Sequence, residues 1–311
     1  MSRYTREISV AAAYILLLVV LAVAAPSFYR GDKLQSILVA SAPVLVAAAG
    51  MTLVILTRQI DISIGSQLSV CGIACGLLAA SGVPMPLVGL LTVTLGGLFG
   101  AINGGLVAGL GLPSIVVTLA TLVILREGLR WAREGAFVRN LPNGFQWFGL
   151  GDEFGPWALV AAAVAVFGLL ALGLRYLAAG RALYATGSDP DAAFLAGLAP
   201  RRVTFGAFAA LGALTGLAAL LNAVRFPDCD PNAGNGLEMQ VIAAVVVGGV
   251  AISGGRGTLV GPLFGVLLLG TIGSALLFLG SQPYWEKTIQ GAIILIAVAT
   301  DSLVRGRRQH V

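Results

Sequence analysis

Long stretches with few or no charges dominate this chain and constrain its fold more than any other feature. The first, Ile8–Ala25, runs for 18 residues and would cover roughly 27 Å as a helix. Others follow at Leu38–Leu56, Ile62–Gly82, Leu87–Leu110, Ile115–Leu125, Trp157–Leu174, Val203–Leu221, Gln240–Ser253, Leu259–Leu279 and Tyr284–Ala299. A backbone inside hydrocarbon must satisfy its own N–H and C=O groups, so such runs close into helices. The Ile115, Gln240 and Tyr284 stretches fall short of the roughly 20 residues a bilayer requires. They are expected to be broken, tilted or re-entrant. The reading is an all-α polytopic transmembrane helical bundle of eight to ten spans, a single domain over residues 1–311.

Composition excludes the competing classes. Of the 311 residues 58% are apolar and only 11% charged, with a mean hydropathy of +0.94, whereas a soluble domain needs about a quarter of its residues charged. The 42 glycines follow no Gly-X-Y period, which removes a fibrous reading and suits close helix packing in lipid. Arg3 and Arg6, an apolar run and Ala24-Ala25-Pro26 resemble a signal peptide, but the run exceeds a signal core of about 7–15 residues and reads as a retained span. Cys71, Cys75 and Cys229 form no disulfide framework, and the one histidine, His310, offers no metal-ligand spacing.

The net charge of +5 comes from arginines scattered between the apolar runs, which marks topology and not a nucleic-acid patch. Ten spans with a cytoplasmic N-terminus place Arg3, Arg6, Arg58, Arg175, Arg181, Arg201, Arg202, Arg256, Arg305, Arg307 and Arg308 inside. The outer side receives fewer: Arg30, Lys33, Arg126, Arg130, Arg133, Arg139, Arg225 and Lys287. Both termini are therefore expected in the cytoplasm. Two outer loops, Arg126–Pro156 and Asn222–Met239, mix charges with aromatic residues, as either a docking surface or an interfacial belt would.

The most informative polar stretch lies at residues 175–202, on the inner side. Asp189 suits an N-cap, Pro190 the first helical position and Asp191 the helix dipole, and Gly197 with Pro200 ends the segment. A helix of about two turns follows, too short to be stable in water without a partner. It reads either as the contact for a cytoplasmic motor or as an ordinary, well-capped connection.

Asp191-Ala192-Ala193-x-x-x-Gly197 resembles the loop signature of permeases of ATP-binding cassette importers, with Asp in place of the usual Glu. Other segments are similar to the ribose-type, monosaccharide branch. These are Gly50–Ser66 with its Asp61-Ile62-Ser63-Ile64-Gly65 core, Ala101–Val107 with Asn103-Gly104, Leu112–Leu119 with Pro113 and Thr118, and Ala243–Gly249 with Ser253–Thr258. The likeness runs from about Gly50 to Asp301. Leu141–Gly149 is similar to outer-loop text of permeases grouped with rhamnose or autoinducer-2 systems.

The resemblance implies a monosaccharide permease in a bacterial inner membrane. Its expected partners are a second permease, identical or homologous, a cytoplasmic ATP-binding cassette ATPase, and a periplasmic or lipid-anchored sugar-binding protein. Arg181, Asp189, Asp191, Ala192, Ala193 and Gly197 would form the coupling contact. No catalytic residue and no cofactor is assigned to this chain: ATP and Mg would be bound by the ATPase. The residues agree, since Lys33 and Lys287 lack the Gly-x-x-x-x-Gly-Lys frame, and Ser253–Thr258 is then a tight turn between spans.

Candidates for the substrate pathway are Asn103, Thr118, Asp61 and Ser63. A buried amide such as Asn103 needs partners on another helix or on a passing solute, and replacing it by Leu is expected to lower transport without lowering abundance. Thr118 can bond back to its own helix. Asp61 reads foremost as a cap of the following helix, with Arg58 as another partner and a solute contact as the alternative. An ion-coupled secondary transporter would place ionisable groups within its spans, where these runs have almost none. A membrane enzyme would need a catalytic cluster that is not seen, and branched-chain amino-acid permeases would share the architecture.

Overall fold

The computed structural model describes residues 5–278, 285, 287–292 and 295. The expected Tyr284–Ala299 span lies largely outside these residues, as do Arg3, Arg305, Arg307 and Arg308. The helices are α1 (Thr5–Ala24), α2 (Gly31–Leu56), α3 (Ile64–Ala80), α4 (Met85–Gly104), α5 (Ser114–Arg133), α6 (Gly151–Tyr176), α7 (Ala178–Ser188), α8 (Pro190–Leu195), α9 (Pro200–Ala223), α10 (Leu237–Val247) and α11 (Val260–Phe278). Among the described residues, all but the two short helices α7 and α8 coincide with expected apolar runs, and no strand is present. Stretches in α2, α4, α6 and α9 are long and apolar enough to cross a membrane.

Helix α2 is the central pillar. Every residue from Ser41 to Leu56 is buried, as a helix apolar on all sides requires. Helices α6, α9, α10 and α11 pack around it. In lipid, apolar surface drives no association, so helices join where small residues let backbones meet. The stripe Gly96, Gly100 and Gly104 on α4 faces Gly212, Gly216 and Phe208 on α9. A Cβ at Gly100 would lie 2.9 Å from the Gly212 backbone. Gly97 has only ordinary contacts with Ala213, and Gly105 faces open space, so the close-packing role belongs to the glycines four residues apart. Beyond Gly104 the helix widens to a π-turn over Gly105–Gly109.

Three expectations need correction. The Ile115 stretch is neither short nor broken: α5 continues for 20 residues through Arg126, Glu127 and Arg130, where Glu127 and Arg130 are exposed and pair with each other at 3.0 Å and Arg126 reaches across to Glu238. The first residues of the expected Arg126–Pro156 loop are therefore helical. Residues 224–236 do not form a free outer loop. Val138 and Cys229 exchange backbone hydrogen bonds of 3.0 Å, Cys229 packs on Gly76, and the Gly234 N–H donates to Ser69 Oγ at 3.0 Å. The segment thus runs along α3, with Val224, Cys229, Pro231 and Gly234 buried against protein and Phe226, Asn232 and Asn235 exposed. It delivers the chain to α10, 11 residues long, about 16 Å. The expected broken span is this half-helix.

Candidate functional site

Helices α7 and α8 stand on one end of the bundle, at the α2 terminus that carries Leu56. The Asp189 carboxylate accepts hydrogen bonds of 3.0 Å from the Asp191 and Ala192 N–H groups, capping α8 as its sequence requires. Gly197 takes a left-handed φ of 83° and turns the chain toward Pro200. Ala193 is buried, while Asp191 and Ala192 are exposed. Two large apolar residues face outward on this short helix: Phe194 is 69% and Leu195 87% exposed. Arg181 is exposed and donates to the Tyr176 carbonyl at 3.3 Å. The α7 helix was not anticipated in the sequence, where Gly180 and Gly187 obscure it.

Beneath α8, three distant segments meet. The Gly255 N–H donates to the Leu56 carbonyl at 3.0 Å, the Tyr184 hydroxyl to the Gly257 carbonyl at 2.8 Å, and Arg58 Nε to the Gly187 carbonyl at 2.6 Å. A second Arg58 nitrogen donates to the Ser188 carbonyl. A Cβ on Gly187 would collide with the Leu56 carbonyl oxygen, so only glycine admits this approach. Arg58 holds φ 65°, a conformation that costs a non-glycine residue roughly 1–2 kcal/mol. Its side chain does not pair with Asp61. Sequence reading could have flagged only a bulky residue between a helix end and a polar turn.

A second polar centre lies inside the bundle. Asp61, Ser63, Gln67 and Asn103 are all buried. Asp61 Oδ1 accepts from the Ser63 N–H at 2.8 Å and the Ser63 hydroxyl at 2.5 Å. Its Oδ2 accepts from Asn103 Nδ2 at 3.1 Å and from Gln67 Nε2 at 3.4 Å. Asn103 Nδ2 and Gln67 Nε2 also donate to Ser63 Oγ, at 3.0 and 2.7 Å. The Thr121 hydroxyl donates to Asn103 Oδ1 at 2.7 Å. Asp61 is therefore not the N-cap of α3, a position held by Ser63. It ties the start of α3 to α4, with neutral donors solvating the carboxylate in place of water. Thr118 stands apart, bonding back to the Ser114 carbonyl at 2.8 Å. Gln67 and Thr121 were not foreseen: each sits one or two turns from a recognised residue but inside an apolar run.

Further along α3, Arg126 on α5 meets Glu238 at the start of α10, 3.2 Å apart, with side chains 29% and 9% exposed. Glu238 Oε2 lies against Gly65. This pair, 112 positions apart, was also invisible to sequence spacing. A crevice beside it is lined by Ser66, Ser69, Arg126, Arg130, Asn232 and Asn235 among others.

Comparison with known proteins bears on these features. The family described as branched-chain amino acid transport system / permease component matches residues 34–298. An autoinducer 2 import system permease protein of Enterobacter sp. (strain 638) is 33% identical over 96% of this chain and 88% of its own length. A ribose import permease protein of Escherichia coli (strain K12) is 31% identical over 93% and 92% of the two chains. A probable ABC transporter permease protein of Sinorhizobium fredii (strain NBRC 101917 / NGR234) is 32% identical over 100% and 93%. No solved structure matches the chain.

Proposed function

Because this chain belongs to the branched-chain amino acid transport system permease component family, we propose that it forms the translocation pathway of an ATP-driven importer for a monosaccharide. The relatives described as ribose and autoinducer 2 import permeases support a sugar over an amino acid as the solute. In this reading the chain lies in a bacterial inner membrane with α8 and both termini in the cytoplasm. It pairs with a second permease, receives its solute from a periplasmic or lipid-anchored sugar-binding protein, and catalyses no reaction. A separate ATP-binding cassette subunit binds ATP and Mg and hydrolyses the nucleotide.

The observation that carries this reading is α8 itself. A six-residue helix cannot hold its shape alone, yet Asp189 caps it, Gly197 closes it, and it presents Phe194 and Leu195 outward. Two exposed apolar side chains on a braced helix suit insertion into a groove of another protein. Arg181, Asp189, Asp191, Ala192, Ala193 and Gly197 would shape or flank that contact. Movement of the ATPase pair would then shift the bundle between outward- and inward-open states.

Phe194→Asp combined with Leu195→Asp tests the contact, because neither residue supports the core. The chain should reach wild-type abundance, the ATPase should no longer co-purify, and uptake should be lost. Uptake at the wild-type rate would refute the coupling role. Competition of uptake by ribose but not by leucine would support the sugar, and the reverse would favour a branched-chain amino acid.

A further inference from the structure

Helices α7 and α8 are joined to their sequence neighbours by short links, and Gly180 of α7 lies against the Leu174 carbonyl of α6. A single extended residue, Leu177, separates α6 from α7, and the left-handed Gly197 lies between α8 and α9. The contacts with α2 and the Gly-rich turn tie the same unit to segments distant in sequence. Gly187 lies against the Leu56 carbonyl, and Arg58 reaches the last carbonyls of α7. A cation at a helix C-terminus meets the negative end of the dipole and the carbonyls without helical partners. The residue immediately after those carbonyls is Asp189, the cap of α8. Arg58 is also a residue whose backbone would prefer glycine, so its side chain compensates for the conformation it occupies.

We propose that Arg58 is a positioning residue for energy coupling: it clamps the α7–α8 unit to the end of α2, so that a displacement of α8 enters the bundle along its central pillar. This rests on the reading of α8 as the ATPase contact. From the α2 terminus the path continues through residues 57–63 to Asp61, and thence through Asn103 and Thr121 to α4 and α5. Arg58 touches neither the solute pathway nor the exposed face of α8.

The test uses the assembled complex with its ATPase in lipid nanodiscs, with labelled chain diluted in unlabelled. Spin labels go on cysteines placed at Ser36 of α2 and at Ala179 of α7, within the α7–α8 unit, both exposed, while the three native cysteines are buried. The distance between labels is measured without nucleotide and after trapping with ATP and vanadate. In the wild-type chain one narrow distance is expected in both states, because α2 and α8 move together. Arg58→Gly relaxes the backbone but removes the clamp, and should broaden the distance and make it depend on nucleotide. ATP consumed per ribose imported should rise about ten-fold, within the range of coupling between sites. Arg58→Lys keeps one donor and should recover part of both readouts; it carries the test if the glycine variant is not recovered folded. An Arg58→Gly distance as narrow and as constant as the wild type's would overturn the proposal, as would a wild-type distance that itself shifts on trapping. Failure of the ATPase to co-purify with the wild-type chain would instead sink the reading of α8. The clamp would then still be judged by the nucleotide-free distances of the two variants.

Discussion

Replacing Asn103 by Leu tests whether the buried polar centre is an internal brace. The amide makes three side-chain hydrogen bonds: to Asp61 Oδ2 at 3.1 Å, to Ser63 Oγ at 3.0 Å, and from Thr121 at 2.7 Å. Leucine removes all three and leaves Asp61 Oδ2 with Gln67 Nε2 at 3.4 Å. At the membrane-protein average of about 0.6 kcal/mol per interhelical bond the loss is about 2 kcal/mol. Counting the bond to the carboxylate at its aqueous-protein value raises it to about 4 kcal/mol. The folded-to-unfolded ratio should then fall by a factor between about 30 and about 1000. The structure thus revises the sequence expectation, since abundance should fall along with transport. Thr121→Val removes one of these bonds and should cost about 1 kcal/mol. Thr118→Val removes only a bond within its own helix and should be nearly neutral. Reversible unfolding in mixed micelles would give the ranking Asn103→Leu, Thr121→Val, Thr118→Val. An Asn103→Leu chain of wild-type stability that fails to transport would refute the brace and assign the amide to the solute.

Other outcomes follow from the packing. Gly100→Leu should cost about 3 kcal/mol or more, because its side chain would displace the Gly212 backbone, whereas Gly97→Ala should be tolerated; equal abundance of the two would contradict the stripe. Arg126→Gln leaves the buried Glu238 uncompensated and should cost about 1–3 kcal/mol, discounted because Arg126 is 29% exposed. Replacing both residues by leucine should recover most of that stability, and a double variant no better than the single would discount the pair. Burial, then the neighbouring Cys75 and Asp228, push the Cys229 thiol up to about 12. Its folded state holds the proton longer than the unfolded chain does, so the associated stability is full below about pH 9 and is lost as pH rises toward 12. Maleimide labelling at pH 8 should therefore be at least about 10³-fold slower in the native protein than in denaturant, and a rate typical of a free thiol would mean that residues 224–236 are not packed on α3.

Some features were legible because their physics is local. Asp189, Pro190 and Gly197 bracket α8 through capping and backbone preference, which need no knowledge of the rest of the chain. The many glycines suited close helix packing in general, while the structure selected Gly96, Gly100 and Gly104, whose four-residue spacing puts them on one face of α4. The buried centre was half legible: Asp61, Ser63 and Asn103 stood out as polar residues in or beside apolar runs, while Gln67 and Thr121 did not. Asp61 was misread as a cap because its true partner on α4 is 42 positions away. Arg126 and Glu238 were read as parts of separate outer loops, and nothing in either segment points to the other.

The sequence by itself determined that this chain is a helical membrane bundle, because an uninterrupted apolar run of about 20 residues satisfies its polar backbone within itself only as a helix, and it determined where α8 begins and ends. Only the tertiary structure decided which polar groups serve as one another's solvent, which segment runs along α3 as the approach to α10, and which helix end receives α7. Those outcomes depend on groups brought together from distant positions, and a desolvated carboxylate or carbonyl selects its partner by proximity in space, a quantity that no local pattern encodes.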